Sequence, residues 1–299
     1  RNDRDRRRRL DFLVVGAEKS GTTWLADMLR QHPQVFIPAQ KELHYFNRKF
    51  GEFPVLVNYN FDKPPEWYLA FFRQARSDQV KGEICPAYLW DEEAPARIHA
   101  FEPRVTIFMI LRHPVERAYS AYRFYVQRGT IHLPFDEAIR RHKDLLLDRS
   151  AYFTQVKRYL DLFPRRQVHI LFYDALQRNA VEFLTTFERL LGVDEFIPPD
   201  VHQRSYVTGE VRFKAVNAFL SRLRFFAHKN RLTFLLDWGR RTGIAWALES
   251  LRQRNKRQAR PSQTMEMDPK TRAYLQEYFS EDVQRLEALL GTDLSAWKR

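Results

Sequence analysis

The chain has 299 residues, of which 44% are hydrophobic and 14% aromatic, so it can bury a large core and global disorder is excluded. No stretch approaches the roughly 18 consecutive apolar residues of a membrane-spanning helix. The one cysteine, Cys85, excludes an internal disulfide and a cysteine-based zinc cluster. A reducing compartment, and hence a cytoplasmic location, is the expectation. The chain does not begin with Met, so a removed N-terminal targeting segment or anchor stays open.

Basic residues outnumber acidic ones, 50 against 37, which gives a net charge of +13. This balance favours an anionic partner, but nucleic acid, a nucleotide, an acidic glycan and a membrane surface all fit it. Arginine is more frequent than lysine, and its guanidinium group suits phosphate, sulfate or carboxylate groups.

The predicted elements alternate between strands and helices in the first part of the chain and are helical later. Residues 1–9 form a charged, basic tail, and residues 10–299 one domain. Strands are predicted at 12–15, 35–37, 80–84, 105–111 and 168–172. Helices are predicted at 22–31, 114–127, 179–191, 213–225, 231–254 and 269–290, with a connector at 255–268. We therefore expect a single α/β domain with a central parallel sheet flanked by helices and a helical C-terminal part.

The first strand runs directly into the segment Gly16-Ala17-Glu18-Lys19-Ser20-Gly21-Thr22-Thr23-Trp24. A strand, a glycine-bearing loop and a helix start form a phosphate site, because backbone N–H groups converge on an anion there. Gly16 and Gly21 have the spacing of a Walker A loop, but Thr22 stands where that motif has its lysine. The lysine lies inside the loop as Lys19, which favours a ligand other than a nucleoside triphosphate with magnesium.

A second anion site is predicted after the most apolar strand, in the segment Arg112-His113-Pro114-Val115-Glu116-Arg117-Ala118-Tyr119-Ser120. Arg112 follows the carboxyl end of a parallel strand, where ligands bind in open α/β sheets. Ser120 lies two turns into the next helix. Together the two residues could reach a second phosphate of one ligand.

These two segments together resemble the sulfotransferases that use 3′-phosphoadenosine 5′-phosphosulfate (PAPS). The loop from Lys19 to Trp24 is similar to that family's 5′-phosphosulfate loop, and Arg112 with Ser120 to its 3′-phosphate pair. The resemblance implies the sulfotransferase fold, which is like that of the P-loop nucleotide kinases. The cofactor-binding residues that it implies are Lys19, Ser20, Gly21, Thr22, Thr23, Trp24, Arg112 and Ser120.

Three further segments resemble the branch that sulfates heparan sulfate and other carbohydrates. They are 41–47 (Lys-Glu-Leu-His-Tyr-Phe-Asn), 82–88 (Gly-Glu-Ile-Cys-Pro-Ala-Tyr) and 286–297 near the C-terminus. The resemblance implies that Glu42 is the base that accepts the acceptor's proton. His44 is the alternative base, because imidazole titrates near neutral pH. Lys19 is expected to stabilise the leaving group, and Lys41 to share this task or to bind an acidic acceptor.

Some assignments stay open at this level. Trp24 fits stacking on adenine and core packing about equally well. The family's C-terminal loop over the 3′-phosphate is not evident, and Arg257 or Arg260 is the candidate to replace it. The absence of an anchor and of a disulfide departs from Golgi-resident members and points to a soluble bacterial one.

The sequence therefore predicts transfer of a sulfuryl group from PAPS to a hydroxyl or amine of a carbohydrate or small natural product. Adenosine 3′,5′-bisphosphate (PAP) is the expected product, no metal is expected to be required, and no nucleic acid is expected as partner. An acidic glycan is one possible acceptor, and the oligomeric state is not readable. The alternatives are a P-loop kinase-like enzyme and a non-catalytic protein that binds acidic glycan or nucleic acid.

Overall fold

The computed structural model describes residues 10–49, 58–203 and 267–298. Its centre is one sheet of five parallel strands in the order β2-β3-β1-β4-β5. The strands are β1 (Phe12–Gly16), β2 (Val35–Phe36), β3 (Val80–Ile84), β4 (Thr106–Leu111) and β5 (Val168–Phe172). The predicted parallel α/β fold is thus confirmed, with the strand at 35–37 ending one residue earlier and that at 105–111 starting one residue later.

Eleven α-helices connect and flank these strands in the part of the chain that is described. They are α1 (Thr22–Gln31), α2 (Pro65–Leu69), α3 (Ala87–Trp90), α4 (Ala94–Phe101), α5 (Pro114–Gln127), α6 (Phe135–Arg141), α7 (Lys143–Leu146), α8 (Tyr152–Leu162), α9 (Tyr173–Arg178), α10 (Ala180–Leu191) and α11 (Pro269–Leu290). Short 3₁₀ turns lie at Tyr59–Asp62, Ala70–Phe72, Asp148–Ser150, Arg165–Gln167 and Ser295–Lys298.

The central strands β1 and β4 are largely apolar because helices cover both faces of the sheet. All five residues of β1 are buried, as are the last five of β4, which is the pattern of a parallel sheet with no solvent-facing side. One core layer contains Leu13 and Met109, and the layer on the other face contains Phe12 and Phe108. The loops at the carboxyl ends of β1 and β4 therefore follow strands that are packed on both sides.

The final helix is capped at its start and is tied to the sheet domain by a polar contact from its interior. Asp268 caps its first turn by accepting the Thr271 N–H. Within the helix, Asp282 accepts the Tyr152 N–H at 2.7 Å at the start of α8. The predicted helical C-terminal part is confirmed for this helix. The helices predicted at 213–225 and 231–254, residues 1–9, and Arg257 and Arg260 lie outside the described residues.

None of the helices in the three described ranges is long and apolar enough to cross a membrane.

Candidate active site

The phosphate loop joins β1 to α1 and is shaped by two glycines. Gly16 packs so closely on α3 that a Cβ there would lie 2.4 Å from the Leu89 side chain. Gly21 caps α1 in the left-handed region at φ 84°, where a side chain would be strained. This geometry turns the chain sharply, so that the helix starts with Thr22 and Thr23 at the carboxyl edge of the sheet. Such a helix start favours an anion.

Ser20 supplies an independent sign that the loop accepts a ligand. Its side chain is fully buried, and its Oγ has no hydrogen-bond partner among the residues described. A buried hydroxyl without a partner is costly and normally finds one. The hydroxyl is therefore fitted to bind an oxygen of a group held in the loop.

A cluster of buried charges holds the loop from below. The Glu18 carboxylate accepts hydrogen bonds from Arg117 at 2.9 Å and Arg149 at 3.0 Å, and from the Trp90 indole at 3.3 Å. Arg117 is fully buried and also donates to the Leu145 carbonyl at 2.8 Å. Burial raises the pKa of Glu18, but Arg149 and Arg117 outweigh it, and the net pKa is lowered. Glu18 thus stays ionised and anchors the backbone next to Lys19.

Lys19 occupies an electropositive and poorly hydrated place. Its backbone is left-handed at φ 67°, and its Nζ lies 4.3 Å from the centre of the Phe124 ring on α5. Burial, and then the positive charge of Arg112, lowers the pKa of Lys19 to about 8. A bound anion would raise the pKa of Lys19 again, because it stabilises the protonated ammonium.

Arg112 is positioned against the same loop. It follows β4, donates to the Lys19 carbonyl at 3.0 Å and stacks on the Tyr173 ring at 4.7 Å. Ser120, its predicted partner, lies half-buried in α5. The two anion sites predicted from the sequence are therefore connected through the Lys19 backbone, on adjacent strands β1 and β4.

The segment that follows β2 brings the predicted bases to the phosphate loop. Lys41 Nζ donates to Thr23 Oγ1 at 2.9 Å and lies 3.2 Å from the Glu42 carboxylate. The other Glu42 oxygen lies 3.8 Å from His44 Nε2. The Glu42 side chain is 41% exposed, whereas those of Lys41 and His44 are 18% and 15% exposed. Glu42 is thus the solvent-accessible member of this group, open to an incoming acceptor.

The structure favours core packing for Trp24. Its side chain is 8% exposed, its indole N–H donates to the Val201 carbonyl at 3.0 Å, and its ring packs edge-on against Phe183. One face of the ring is therefore packed against α10, and the contact with adenine stays a prediction. Asp174 also has a structural role, since it accepts the Trp297 N–H at 3.1 Å.

Sequence reasoning missed the groups that support the two loops. Glu18, Arg117 and Arg149 lie below the phosphate loop, and a buried carboxylate, Glu83 on β3, lies below the Glu42 segment. Glu83 and Arg117 are inside segments that carry the family resemblance, but burial is what separates them from surface residues. The one available signal was the position of this carboxylate inside a predicted strand, next to the apolar Ile84.

Comparison with known proteins identifies the family of this chain. The family model for the sulfotransferase domain matches residues 9–206. Heparan sulfate glucosamine 3-O-sulfotransferase 5 of Mus musculus is 28% identical over 204 residues, covering 64% of this chain and 54% of that protein. The bifunctional heparan sulfate N-deacetylase/N-sulfotransferase 1 of the same species is 26% identical, covering 96% of this chain and 30% of that protein. The chain spans about half the length of the first relative and less of the second.

A solved structure also matches nearly the whole chain. The sulfotransferase from Alicyclobacillus acidocaldarius has a TM-score of 0.69 and 27% identity, and the match covers 97% of this chain and 99% of that one. This match supports the predicted fold and the resemblance to a bacterial member, and the heparan sulfate relatives support the predicted branch. The chain belongs to the sulfotransferase family.

Proposed function

We propose that the chain transfers a sulfuryl group from PAPS to a hydroxyl or amine of an acceptor. The observation that carries this proposal is the hydrogen bond from Lys41 to Thr23, which joins the segment of the candidate base to the anion-binding loop. A donor in the loop and an acceptor at Glu42 would thereby meet at one place.

The phosphate loop and Arg112 fit a ligand with two anionic ends. The unpartnered Ser20 hydroxyl, the start of α1 and Lys19 would hold the 5′-phosphosulfate. Arg112 and Ser120, on the neighbouring strand and helix, would hold the 3′-phosphate. PAPS supplies the activated sulfur–oxygen bond, and these residues bind and orient it. A nucleoside triphosphate fits less well, because Thr22 stands where a kinase loop has its lysine.

Side chains of this protein can accept the proton of the acceptor and stabilise the negative charge of the leaving group. Glu42 would accept the proton of the acceptor hydroxyl or amine as its oxygen or nitrogen forms a bond to sulfur. The bond between sulfur and the bridging oxygen breaks, and its electron pair stays on that oxygen. Lys19, protonated below its pKa of about 8, would stabilise the resulting charge on the leaving PAP. Lys41 holds Glu42 next to this place through an ion pair of 3.2 Å.

A carbohydrate acceptor is the favoured class. The relatives reported above are named for heparan sulfate, and the net charge of +13 suits an acidic glycan. A small natural product with a hydroxyl or amine is the second class within the same chemistry.

The decisive experiment is a transfer assay with isotopically labelled PAPS and a library of amino sugars, desulfated and sulfated glycosaminoglycan oligosaccharides, and small alcohols. We expect one acceptor to gain the mass of one SO3 group while PAP is released. Lys19→Met should lower turnover by about 10²- to 10³-fold, as for loss of a group that stabilises developing charge. Lys63→Met, on an exposed side chain, is the matched control and should keep full turnover.

Two results would overturn the proposal. The first is magnesium-dependent turnover of ATP with no use of PAPS, which would indicate a kinase. The second is tight, salt-sensitive binding of glycan or nucleic acid with no product from PAPS, which would indicate a binding protein.

A further inference from the structure

A buried carboxylate lies directly below the segment that carries Glu42. Glu83, on β3, is 1% exposed and has three uncharged hydrogen-bond donors around it. Its Oε1 accepts the Leu43 backbone N–H at 2.8 Å, and its Oε2 accepts the Tyr68 hydroxyl at 2.7 Å. The Tyr88 hydroxyl lies within 3.1 Å of both oxygens. Burial of a carboxylate costs free energy that burial of an apolar side chain would not. A role for this carboxylate beyond filling the strand is therefore indicated.

The contact with Leu43 is made at the most strained part of the segment. Glu42 and His44, on either side of Leu43, both have left-handed backbones, at φ 60° and 53°. Residues other than glycine adopt this region rarely and at a cost, so surrounding contacts must hold it. The Leu43 side chain is fully buried, and its N–H is the one that Glu83 accepts. Glu83 thus fixes the residue between the two candidate bases.

Neighbouring contacts extend this support. The Tyr45 N–H donates to the Tyr88 hydroxyl at 3.0 Å, so Tyr88 links Glu83 to a second point of the segment. On the other side, Asn60 donates to the Leu43 carbonyl at 2.8 Å. The backbone of the segment is therefore held by buried polar groups from β3, α3 and the turn before α2.

We propose that Glu83 is a positioning residue for sulfuryl transfer, which accepts the Leu43 N–H and so holds Glu42 in place over the phosphate loop. This inference rests on the proposed function, in which Glu42 is the base. Glu83 itself is buried and does not reach the acceptor.

The electrostatics of the site indicate that a neutral side chain can do the same work. Burial, with a smaller contribution from the charge of Glu42, raises the pKa of Glu83 to about 7, although the hydrogen bonds that it accepts oppose this shift. The other titratable groups that face it are the Tyr68 and Tyr88 hydroxyls and the Cys85 thiol, whose pKa values are all well above their usual ones. A neutral acid keeps a carbonyl oxygen for the Leu43 N–H, as does an amide.

Two variants of Glu83 of similar size test the hydrogen bond from the Leu43 N–H. Glu83→Gln keeps an acceptor for Leu43, and Glu83→Met removes it at similar size. We expect Glu83→Met to lower kcat by about 10- to 100-fold, in the range for misplacement of a catalytic group. The affinity for PAP should stay unchanged, and Glu83→Gln should retain most of kcat. Lys63→Met, on an exposed side chain, is the control and should behave like the unaltered protein.

Hydrogen exchange of the Leu43 amide supplies a readout that does not depend on activity. The amide should exchange slowly in the unaltered protein and in Glu83→Gln, and much faster in Glu83→Met. Tyr88→Phe, which removes the bond to the Tyr45 N–H, gives a second test and should lower kcat without weakening PAP binding. If Glu83→Met fails to fold, this variant and the exchange rates of Glu83→Gln carry the test.

The proposal is overturned if Glu83→Met keeps full kcat, if Glu83→Gln and Glu83→Met lose kcat equally, or if kcat and PAP affinity fall together. Protection of the Leu43 amide that is the same in all variants would also overturn it. Absence of transfer by the unaltered protein, with the expected exchange pattern, would instead contradict the proposed function and leave the Leu43 contact established.

Discussion

Lys41 donates a hydrogen bond to the Thr23 hydroxyl at 2.9 Å, across 18 positions of sequence. Thr23 is the second residue of α1, and Lys41 directly precedes the candidate base Glu42. The helix start that favours an anion and the carboxylate that faces solvent are therefore parts of one assembly.

The ionisation of Lys19 should make PAP binding depend on pH. Burial, then the charge of Arg112, lowers the pKa of Lys19 to about 8. A bound anion favours the protonated lysine, so affinity should be constant below that pKa and fall by up to about tenfold per pH unit above it. Calorimetric titration with PAP on both sides of the pKa measures this loss. Lys19→Arg keeps its charge and should show a flat profile; an unchanged pH dependence in that variant would rule out Lys19 as the titrating group.

Replacement of the candidate bases should separate proton transfer from nucleotide binding. Glu42→Gln should lower kcat by about 10²- to 10⁴-fold, as for loss of a general base, because the amide cannot accept the proton. Binding of PAP should not change, since Glu42 is 41% exposed and outside the phosphate loop. His44→Asn should have a smaller effect. Comparison of kcat and PAP affinity for both variants decides between them, and a larger loss in His44→Asn would make the imidazole the base.

Arg112 should be responsible for recognition of the 3′-phosphate. Arg112→Ala should weaken PAP binding by at least about tenfold, as expected for loss of a hydrogen bond to a charged group. Binding of adenosine 5′-monophosphate, which lacks that phosphate, should change much less. Arg112 also holds the Lys19 carbonyl at 3.0 Å, so both nucleotides are measured on each variant. Equal loss for the two nucleotides would show that Arg112 acts through the loop alone.

The Glu18 cluster should be important for stability. Glu18→Gln leaves Arg117, which is fully buried, and Arg149 without their carboxylate. Breaking such a pair from one side costs about 3–5 kcal/mol of the free energy of unfolding. Glu281→Gln, on an ion pair whose acid is 85% exposed, is the control and should cost about 0–1 kcal/mol. Urea unfolding measures both, and equal values would mean that Glu18 contributes no more than a surface charge.

The strands and helices that depend on residues close together in the sequence could be predicted from the sequence alone. The apolar run at 105–111 is a strand because both of its faces are buried, and Asp268 with Pro269 starts α11 because capping uses neighbouring residues. The short helices between α5 and β5 were not predicted. They are at most eleven residues long, and helices this short are marginal in isolation, so their formation depends on packing in the fold.

The buried charged residues beneath the two loops could not be predicted from the sequence, because their partners are far away along the chain. The Glu18 carboxylate accepts a hydrogen bond from Arg149, which is 131 residues away in the sequence. The Glu83 carboxylate accepts one from the Leu43 N–H, 40 residues away. Nothing in the local sequence distinguishes the buried Arg117 from the many exposed arginines. Loops that carry ligand-binding residues leave a pattern of residue types, whereas the groups beneath them are defined by the fold.

The crystal structure of the protein with PAP is the most direct test of the central claim. The account predicts the 5′-phosphate against the backbone of residues 20–23 and the Lys19 ammonium, and the 3′-phosphate against Arg112 and Ser120. Nucleotide bound elsewhere, or absent from the density at a saturating concentration, would contradict the account.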